Sequence, residues 1–341
     1  HVRDYVEPVL RRFQNPNLPV PPAHLLSNGR YAVMVTAAGA GYSVWQKLAI
    51  TRWREDVTRD AWGTFIYLRD PASGEVWSAG HQPTCVDADE YEAVFAEDRA
   101  RFTRRDGTLT STLEIIVSPE DDVEIRRLSL ANGGLRAREI EVTSYCEIAL
   151  ASQAADAAHP AFSNLFIQTE YVDALSAIVA SRRPRSAHDT RPWFAHVLAC
   201  SESDVSGGVQ YETDRARFVG RGRNLASPVS VMDARPLSNT VGAVLDPIAS
   251  LRRRVRIPAG MTVHLNYATM AANSREEILS LADKYHDCAA FERASTLAWT
   301  HAQVQLHYLG IGTEEAHLFQ RLASRILYID PSLRPSSEIL Q

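Results

Sequence analysis

Aromatic and charged side chains are interleaved in a short stretch near the amino terminus of this 341-residue chain. Trp53 stands between two arginines and just before two carboxylates, and Trp62 closely follows an Arg-Asp pair. Tryptophan faces stack on pyranose rings, while arginine and carboxylate groups form hydrogen bonds with sugar hydroxyls. A buried strand has little use for tryptophans among so many charges. The stretch therefore predicts a saccharide-binding surface that includes Trp53 and Trp62.

The carboxylates of this region admit two interpretations. A glycosidase needs two carboxyl groups, one on each side of the bond that it cleaves. Ion pairs between charged neighbours on loops are much more common than catalytic pairs, so ion pairs are favoured. The carboxylates are Glu55, Asp56, Asp60 and Asp70, and the neighbouring arginines are Arg52, Arg54, Arg59 and Arg69.

A second set of polar side chains lies in residues 154–168, between two predicted strands. The segment AADAAHPAFSNLFIQ is too long for a plain hairpin, and loops of this kind frequently carry binding residues. A loop that only packs against a neighbouring domain is an equally favoured alternative. The candidate substrate-binding residues of the segment are Asp156, His159, Phe162 and Asn164.

The elements that must position these residues are mainly strands. Residues 31–37, 109–117 and 139–150 are apolar or alternate apolar with polar residues, and similar segments recur from Arg30 to Asn273. Many strands with hardly a helix between them predict a mainly β fold, in which antiparallel sheets pack face to face. The aromatic residues predicted to lie in the core include Trp193, Tyr267 and Trp299.

Helical patterns occur near the two ends of the chain. Residues 5–13 predict a short helix. Ser274 and Glu277 form a capping-box sequence that starts another helix. Residues 287–309 and 313–330 predict two more helices with apolar residues at helical spacing. The apolar stripe of the last helix consists of Leu318, Phe319, Leu322 and Ile326.

The composition argues against several classes of function. A net charge of -5 gives no general attraction to nucleic acid or to anionic membranes. No apolar run approaches the ~18 residues of a transmembrane helix, and the cysteines are far apart, without a C-x-x-C pair. Gly39 and Gly41 follow a strand, but Val44 replaces the third glycine of a dinucleotide-binding motif, so they are interpreted as turn residues. We therefore predict no cofactor, no metal, no nucleic-acid partner and no direct insertion into a membrane.

Several motifs, spread over nearly the whole chain, are shared with a known family. They are NGRYAVMVT, GAGYS, TRWRED, TRDAWG, FIYLRD and WSAGHQP, then FTRRDGTLTSTLEIIVSPEDDVEIRRLSL, DAAHPAFSNLFIQTEY, RPLSNTVGAVLDPIASLRRRVRIPAG and HLFQRLASRILYIDPSLRP. In these motifs the chain resembles the amino-terminal β-sandwich domain of glycoside hydrolase family 94, formerly glycosyltransferase family 36. That family contains cellobiose and chitobiose phosphorylases and the phosphorylase-like region of cyclic β-1,2-glucan synthases. The last two motifs are most similar to the synthases.

The resemblance implies an antiparallel β-supersandwich in residues 1–273, followed in residues 274–341 by a helical linker and the start of a barrel domain. In that family the proton donor is an aspartate of the (α/α)6 barrel, and phosphate is the nucleophile of an inverting phosphorolysis. The barrel is absent from this chain, so no catalytic residue is expected here and phosphate would be a substrate of the parent enzyme. A loop of the sandwich domain reaches the acceptor-sugar side of the active site in the related phosphorylases.

The expected function is therefore that of a non-catalytic, carbohydrate-associated domain of a β-glucan-active inverting phosphorylase or glucan synthase. It would contribute acceptor-side contacts and an assembly surface. A stand-alone carbohydrate-binding module and a purely structural sandwich are the alternatives. The expected partners are a β-glucan oligosaccharide, the catalytic barrel of the parent protein and a second copy of the chain. The expected location is the cytoplasm, with association of the parent with the inner membrane left open.

Overall fold

Antiparallel strands are the main secondary structure of the described chain, which comprises residues 10–184, 191–201, 205–330 and 333–340 of this computed structural model. In residues 109–117 buried and half-buried side chains alternate, because successive residues of a strand point to opposite faces of the sheet. The strands are β1 (Arg11–Phe13), β2 (Ala23–Ser27), β3 (Tyr31–Thr36), β4 (Gly41–Trp45), β5 (Leu48–Thr51), β6 (Phe65–Arg69), β7 (Val76–Ser78), β8 (Glu90–Phe95), β9 (Ala100–Asp106), β10 (Leu109–Val117), β11 (Val123–Asn132), β12 (Arg138–Ala151), β13 (Ile167–Val172), β14 (Ala177–Arg182), β15 (Trp193–Cys200), β16 (Val205–Asp214), β17 (Pro247–Ile257) and β18 (Thr262–Ala272).

The strands form two sheets. The first contains nine strands in the order β1-β8-β9-β10-β11-β18-β15-β14-β13. The second contains the other nine, in the order β16-β17-β12-β5-β4-β3-β2, with β6 and β7 attached beside β12. Apolar side chains from both sheets, including Trp45, Phe102 and Phe194, are buried in one large cluster. Full burial of an apolar side chain of this size contributes roughly 1.5–3 kcal/mol, so this cluster holds the sandwich together.

Strand β12 changes its neighbour along its length. Tyr145 lies opposite Phe65 of β6, whereas Ile148 lies opposite Thr51 of β5, and the register shifts between Ile148 and Ala151. This change of partner brings the end of β5, and the residue that follows it, against the carboxyl-terminal third of β12. It is the local feature that positions the candidate site.

The glycines of the turn between β3 and β4 have a steric role. Gly41 has a φ of 153°, and a Cβ atom at this position would overlap the carbonyl oxygen of Met34. Gly39 has a φ of 93° and lies directly against Gly80. These are conformations and distances that favour glycine, so their interpretation as turn residues is confirmed.

Short helices are inserted between strands, and three longer ones follow the last strand. Helix α5 starts at the predicted capping box, where Ser274 Oγ accepts a hydrogen bond from the backbone N–H of Glu277 at 3.1 Å. Its buried residues, Ile278, Ala282 and Tyr285, pack in an apolar cluster with β15 and β18. The helices are α1 (Gln153–Ala158), α2 (Pro160–Asn164), α3 (Arg215–Val219), α4 (Val229–Met232), α5 (Arg275–His286), α6 (Ala290–Leu309), α7 (Thr313–Leu327) and α8 (Ser337–Leu340), and a 3-10 turn occupies Asp173–Leu175.

Helix α6 covers the sandwich with its first half only. Phe291, Ala294 and Ala298 are buried, but Trp299 is 56% exposed. The prediction that Trp299 lies in the core is therefore wrong. The same prediction for Tyr267 is confirmed, because Tyr267 is 1% exposed. The helical spacing of apolar residues could not reveal where along α6 the sandwich surface ends.

Helix α7 places a polar face against the edge strand β2. The carboxamide of Gln320 accepts a hydrogen bond from Leu25 N at 2.8 Å and donates one to Leu25 O at 2.9 Å. Ser324 Oγ accepts another from Ala23 N at 2.9 Å. These side chains satisfy backbone groups that an edge strand would otherwise leave unpaired. The predicted apolar stripe points away from β2 with 44–82% exposure, and we call it the outer stripe: Leu318, Phe319, Leu322 and Ile326.

Two predictions of secondary structure are wrong. Arg11–Phe13 is a strand paired with β8, although a helix is predicted for residues 5–13, of which residues 5–9 lie outside the described residues. The polar segment after β12 is not an open loop, because it folds into α1 and α2. Several strands escape sequence analysis because they are short or rich in charged residues and glycine: β2, β4, β5, β7, β9 and β16. None of the helices in the described part of the chain is both long and apolar enough to cross a lipid bilayer.

Candidate functional site

Arg52, the residue that follows β5, is the centre of a buried network of charges. Its backbone N–H donates a hydrogen bond to the carbonyl oxygen of Glu147 in β12 at 3.0 Å, and its side chain is 5% exposed. The guanidinium donates to Glu147 Oε2 at 2.9 Å, to Asp246 Oδ1 at 3.1 Å and to both carboxylate oxygens of Asp156 at 3.2–3.3 Å. The planar fork of N–H groups allows one arginine to bind several carboxylates. Arg52 therefore connects β5, β12, helix α1 and the segment before β17.

Asp156 connects this arginine with the surface. Ser152 caps helix α1, and Asp156 is the buried residue of that helix. Arg54 Nη2 donates to Asp156 Oδ2 at 2.6 Å and to its carbonyl oxygen at 3.0 Å. The guanidinium carbon of Arg54 in turn lies 5.9 Å from the centroid of the Trp62 ring. Two of the predicted site residues, Asp156 and Trp62, are thus brought together through Arg54.

Asn164 and Arg215 complete the network. Asn164, at the end of α2, accepts a hydrogen bond from Arg52 Nη2 at 2.5 Å and donates one to Asp246 Oδ1 at 3.0 Å. Arg215 Nε donates to Glu147 Oε1 at 2.8 Å. Three arginines and three carboxylates therefore neutralise one another.

Burial and the arginine charges act in opposite directions on the carboxylates. Burial disfavours the charged form of Asp156, but the hydrogen bonds and charges of Arg52 and Arg54 outweigh it and lower its pKa. Burial, and after it the charge of Glu147, raises the pKa of Asp246. Burial also opposes the charge of Arg52, yet Asp156 and Glu147 raise its pKa above the usual range. Asp156 and Arg52 therefore hold fixed charges, whereas the charged form of Asp246 is disfavoured.

The Trp53 ring is 8% exposed, which is less than a stacking surface needs. Tyr42 packs against it with 5.2 Å between ring centroids, and Tyr328, just after α7, meets it edge-on at 5.8 Å. Tyr328 is held by a hydrogen bond of 2.7 Å from its hydroxyl to Asp60. A sugar could not stack on a full face of Trp53 without displacing these rings. Of the two predicted tryptophans, the half-buried Trp62 is the one that keeps surface available.

A shallow cavity of about 110 Å³ opens beside Arg54. Its lining includes Tyr42 and Trp53 and the exposed residues Lys47 and Gln153. Pockets that enclose a small ligand usually measure ~300–1,000 Å³. This depression therefore resembles one wall of a binding site more than a complete pocket.

His159 and Phe162 lie on the same segment but outside the lining of this cavity. His159 is exposed at the junction of α1 and α2. Phe162 is 54% exposed, with its ring centroid 5.2 Å from that of Phe166. Of the four predicted residues in residues 154–168, the structure brings Asp156 and Asn164 into the network and leaves these two at the surface.

The carboxylates near Trp53 do not form the predicted ion pairs with neighbouring arginines. Asp60 accepts hydrogen bonds from Thr36 Oγ1 and Tyr328 OH, each at 2.7 Å. Asp70 pairs with Arg138 at 2.6 Å. These partners are far away in sequence, so spacing within the motif could not identify them. Within the described ranges, no group of three or more histidine, cysteine, aspartate or glutamate side chains is arranged to hold a metal ion.

Two carboxylates of the network were missed by sequence analysis. Glu147 is a single carboxylate inside the apolar run CEIALA of β12, and such an isolated charge in a buried strand signals a buried partner. Asp246 stands just before β17 in the sequence LDP, which resembles any turn. Only Glu147 therefore carried a recognisable signal.

Comparison with known proteins assigns the chain to a family. The family model described as glycosyl hydrolase 94, supersandwich domain, matches residues 6–288. The chain is also 41% identical, over 99% of its length, to the cyclic beta-(1,2)-glucan synthase NdvB of Rhizobium meliloti (strain 1021). The chain belongs to glycosyl hydrolase family 94. This confirms the family that the sequence motifs suggest, and the antiparallel sheets confirm its supersandwich fold.

Other family 94 relatives are more distant. The N,N'-diacetylchitobiose phosphorylase of Vibrio furnissii is 22% identical over 82% of the chain, and the solabiose phosphorylase of Paenibacillus borealis is 28% identical over 64%. The chain spans 12% of the length of the glucan synthase and 34% and 27% of the two phosphorylases. It thus corresponds to the supersandwich part of much longer family members.

Proposed function

We propose that this family 94 chain is a non-catalytic, carbohydrate-associated domain of a β-glucan-active inverting phosphorylase or glucan synthase in the cytoplasm. The surface around Arg54 and Trp62 would contribute contacts on the acceptor side of the substrate site. The observation that carries the proposal is the fixed pair formed by these two residues, in which Asp156 holds the guanidinium beside the indole ring. A guanidinium held over an aromatic ring combines hydrogen-bond donors with an apolar surface, which suits the hydroxyls and the C–H faces of a pyranose ring. The similarity to a cyclic beta-(1,2)-glucan synthase supports a β-glucan oligosaccharide as the ligand class.

The state of the carboxylates supports the assignment of chemistry to another domain. A general acid for glycosidic cleavage needs a raised pKa and access to the leaving oxygen. The pKa of Asp156 is lowered. Burial raises the pKa of Asp246, but its Oδ1 is bound by Arg52 and Asn164. Burial raises the pKa of Asp60, but its oxygens are occupied by hydroxyl groups. We therefore place the proton donor and the phosphate in the barrel domain of the parent protein.

The outer stripe supplies the proposed assembly surface. Its four apolar side chains are exposed on α7, and Trp299 and Tyr308 are exposed on the neighbouring helix α6. Exposed apolar surface of this kind tends to seek a partner. The catalytic barrel of the parent protein is the proposed partner, and a second copy of the chain is the alternative that a solution measurement can detect.

Titration of β-1,2-gluco-oligosaccharides into the chain, followed by amide NMR shifts, tests the binding role. Stacking on one aromatic ring contributes roughly 0.5–1.5 kcal/mol beyond the area that it buries. One wall of a site should therefore bind at about 1 mM, or ~4 kcal/mol. Trp62→Ala should weaken binding about tenfold, whereas Trp299→Ala, a matched control at an exposed tryptophan, should leave it unchanged. Equal effects of both substitutions would contradict the proposed site.

The non-catalytic role has a separate test. Incubation of the chain with β-1,2-gluco-oligosaccharides and inorganic phosphate should release no sugar phosphate. Turnover that is proportional to chain concentration and survives repurification would overturn the assignment of catalysis to another domain. Micromolar affinity without turnover would instead favour a stand-alone carbohydrate-binding module, and an absence of shifts at any saccharide concentration would favour a purely structural sandwich.

A further inference from the structure

A second and larger cavity lies where the sandwich meets the last long helices. Its volume is about 360 Å³, which falls within the ~300–1,000 Å³ typical of small-ligand pockets. Strand β2 and the turns after β8 and β10 form one side, and α6 and α7 form the other. It shares no lining residue with the cavity beside Arg54.

Some polar groups in the wall of this cavity serve the fold. Asn28 donates hydrogen bonds to the carbonyl oxygens of Ser118 and Asp121 at 2.8 and 2.9 Å. Gln320 uses both ends of its carboxamide on the backbone of Leu25. These hydrogen bonds hold the wall in place.

Other polar side chains that line the cavity have fewer hydrogen-bond partners. His317 is 6% exposed, and its Nε2 lies 3.6 Å from Glu97 Oε1. Its Nδ1 is buried and has no hydrogen-bond partner within the described residues. His301 and Gln305 of α6 also line the cavity. An unpaired buried polar atom costs free energy, and Nδ1 is such an atom in a residue that lines the cavity.

The charges around the cavity favour an uncharged ligand. The described residues that line it include the carboxylates Glu97 and Asp98 but no lysine or arginine. Asp98 is already paired with Arg99 at 2.7 Å. Burial, followed by the charge of Arg11, lowers the pKa of His24 in the same wall to about 3, so this imidazole is neutral at pH 7. The lining thus offers acceptors and neutral donors without a strong excess of charge.

Apolar side chains cover the rest of the surface. Leu26 and Val117 come from the sandwich, and Ala298, Ala302 and Leu306 come from α6. A sugar ring presents C–H groups on its faces and hydroxyls around its edge. Apolar walls with a carboxylate, imidazoles and a carboxamide match that pattern.

We propose that this cavity binds a neutral polyhydroxylated ligand of about one sugar residue, with Glu97 on the sandwich side and His317, His301 and Gln305 on the helical side. The site is additional to the acceptor-side surface around Arg54 and Trp62 and does not depend on it. A ligand here would contact both the sandwich and the helices α6 and α7, so it would also strengthen their attachment to each other.

D-glucose is the first probe for this site, with the methyl shifts of Val117, Ala302 and Leu306 as the readout. Saturable shifts at these methyl groups are expected at millimolar concentration. Ala302→Trp, which fills the cavity, should weaken them at least tenfold. Val304→Trp places the same side chain on the 58% exposed outer face of α6 and should change nothing.

A second variant tests the proposal independently, in case Ala302→Trp does not fold. Glu97→Gln keeps the shape of the side chain and removes the carboxylate, and it should weaken D-glucose binding roughly tenfold. Trp62→Ala should leave the cavity shifts unchanged, so failure of the acceptor-surface proposal is distinguishable from failure of this one. Shifts that do not saturate, shifts that persist in Ala302→Trp, or tighter binding of choline or inorganic phosphate than of D-glucose would overturn the proposal.

Discussion

Replacement of Arg52 by alanine should destabilise the protein strongly, because this side chain is the central cation of the buried network. Arg52 is 5% exposed, and its partners Asp156 and Glu147 are 2% and 5% exposed. Removing one partner of a buried ion pair typically costs ~3–5 kcal/mol, since the other charge remains without compensation. Asp156 keeps Arg54 and Glu147 keeps Arg215, so we expect the lower end of this range, about 3 kcal/mol.

Equilibrium unfolding in urea measures this loss, with Arg293→Ala as the matched control. Arg293 forms an ion pair with Glu120 on the surface, where the two side chains are 67% and 40% exposed. An exposed pair contributes ~0–1 kcal/mol, so the control should unfold almost like the unchanged protein. If the free energy of unfolding of Arg52→Ala were also within ~1 kcal/mol of the unchanged protein, the network would not have the stabilising role assigned to it.

The pH dependence of this difference in the free energy of unfolding tests whether lost charge pairing causes it. The pKa of Asp156 is lower in the folded protein than its unfolded value of ~3.9. Its ionic interactions therefore contribute fully above that unfolded value and are lost as the pH falls through the folded pKa. The stability gap between Arg52→Ala and the unchanged protein should be largest near pH 7 and should narrow below about pH 4. A gap that stays constant across this range would assign the loss to packing and not to charge.

Three further outcomes are expected. Tyr328→Phe removes the hydrogen bond to Asp60, which should cost about 1–2 kcal/mol and speed hydrogen exchange in α7; unchanged exchange would mean that this contact does not hold the helix. Gly41→Ala should prevent folding or lower the melting temperature severely, because a Cβ atom there overlaps the backbone. Gly29→Ala, with open space around the added Cβ atom, should reduce the free energy of unfolding by only ~1 kcal/mol. Similar melting temperatures of the two variants would contradict this account. Light scattering should detect concentration-dependent association through the outer stripe, and Leu322→Glu should reduce it; a strict monomer at high concentration would count against this surface as a site of self-association.

The sequence by itself determined the architecture and the position of several elements. Strand β10 has the predicted bounds of residues 109–117, because alternation of apolar and polar residues is a local signal. Helix α5 starts at the capping box of Ser274, and α7 starts at Thr313. Caps and periodicity act over a few residues, so a single segment contains the information that fixes them. The family motifs were recognisable for a similar reason, since they are continuous in the chain.

The tertiary structure alone decided how the candidate site is assembled. Arg52 meets Asp156 across 104 positions of sequence and Asp246 across 194, through the change of partner along β12. Trp53 resembled an exposed stacking residue, but Tyr328, 275 positions later in the sequence, packs against it in a T-shaped contact. The outer stripe resembled a core-facing surface until Gln320 and its neighbours turned the polar side of α7 toward β2. Burial and charge pairing depend on which distant segments are in contact. The composition and spacing of residues within one segment do not show which contacts form.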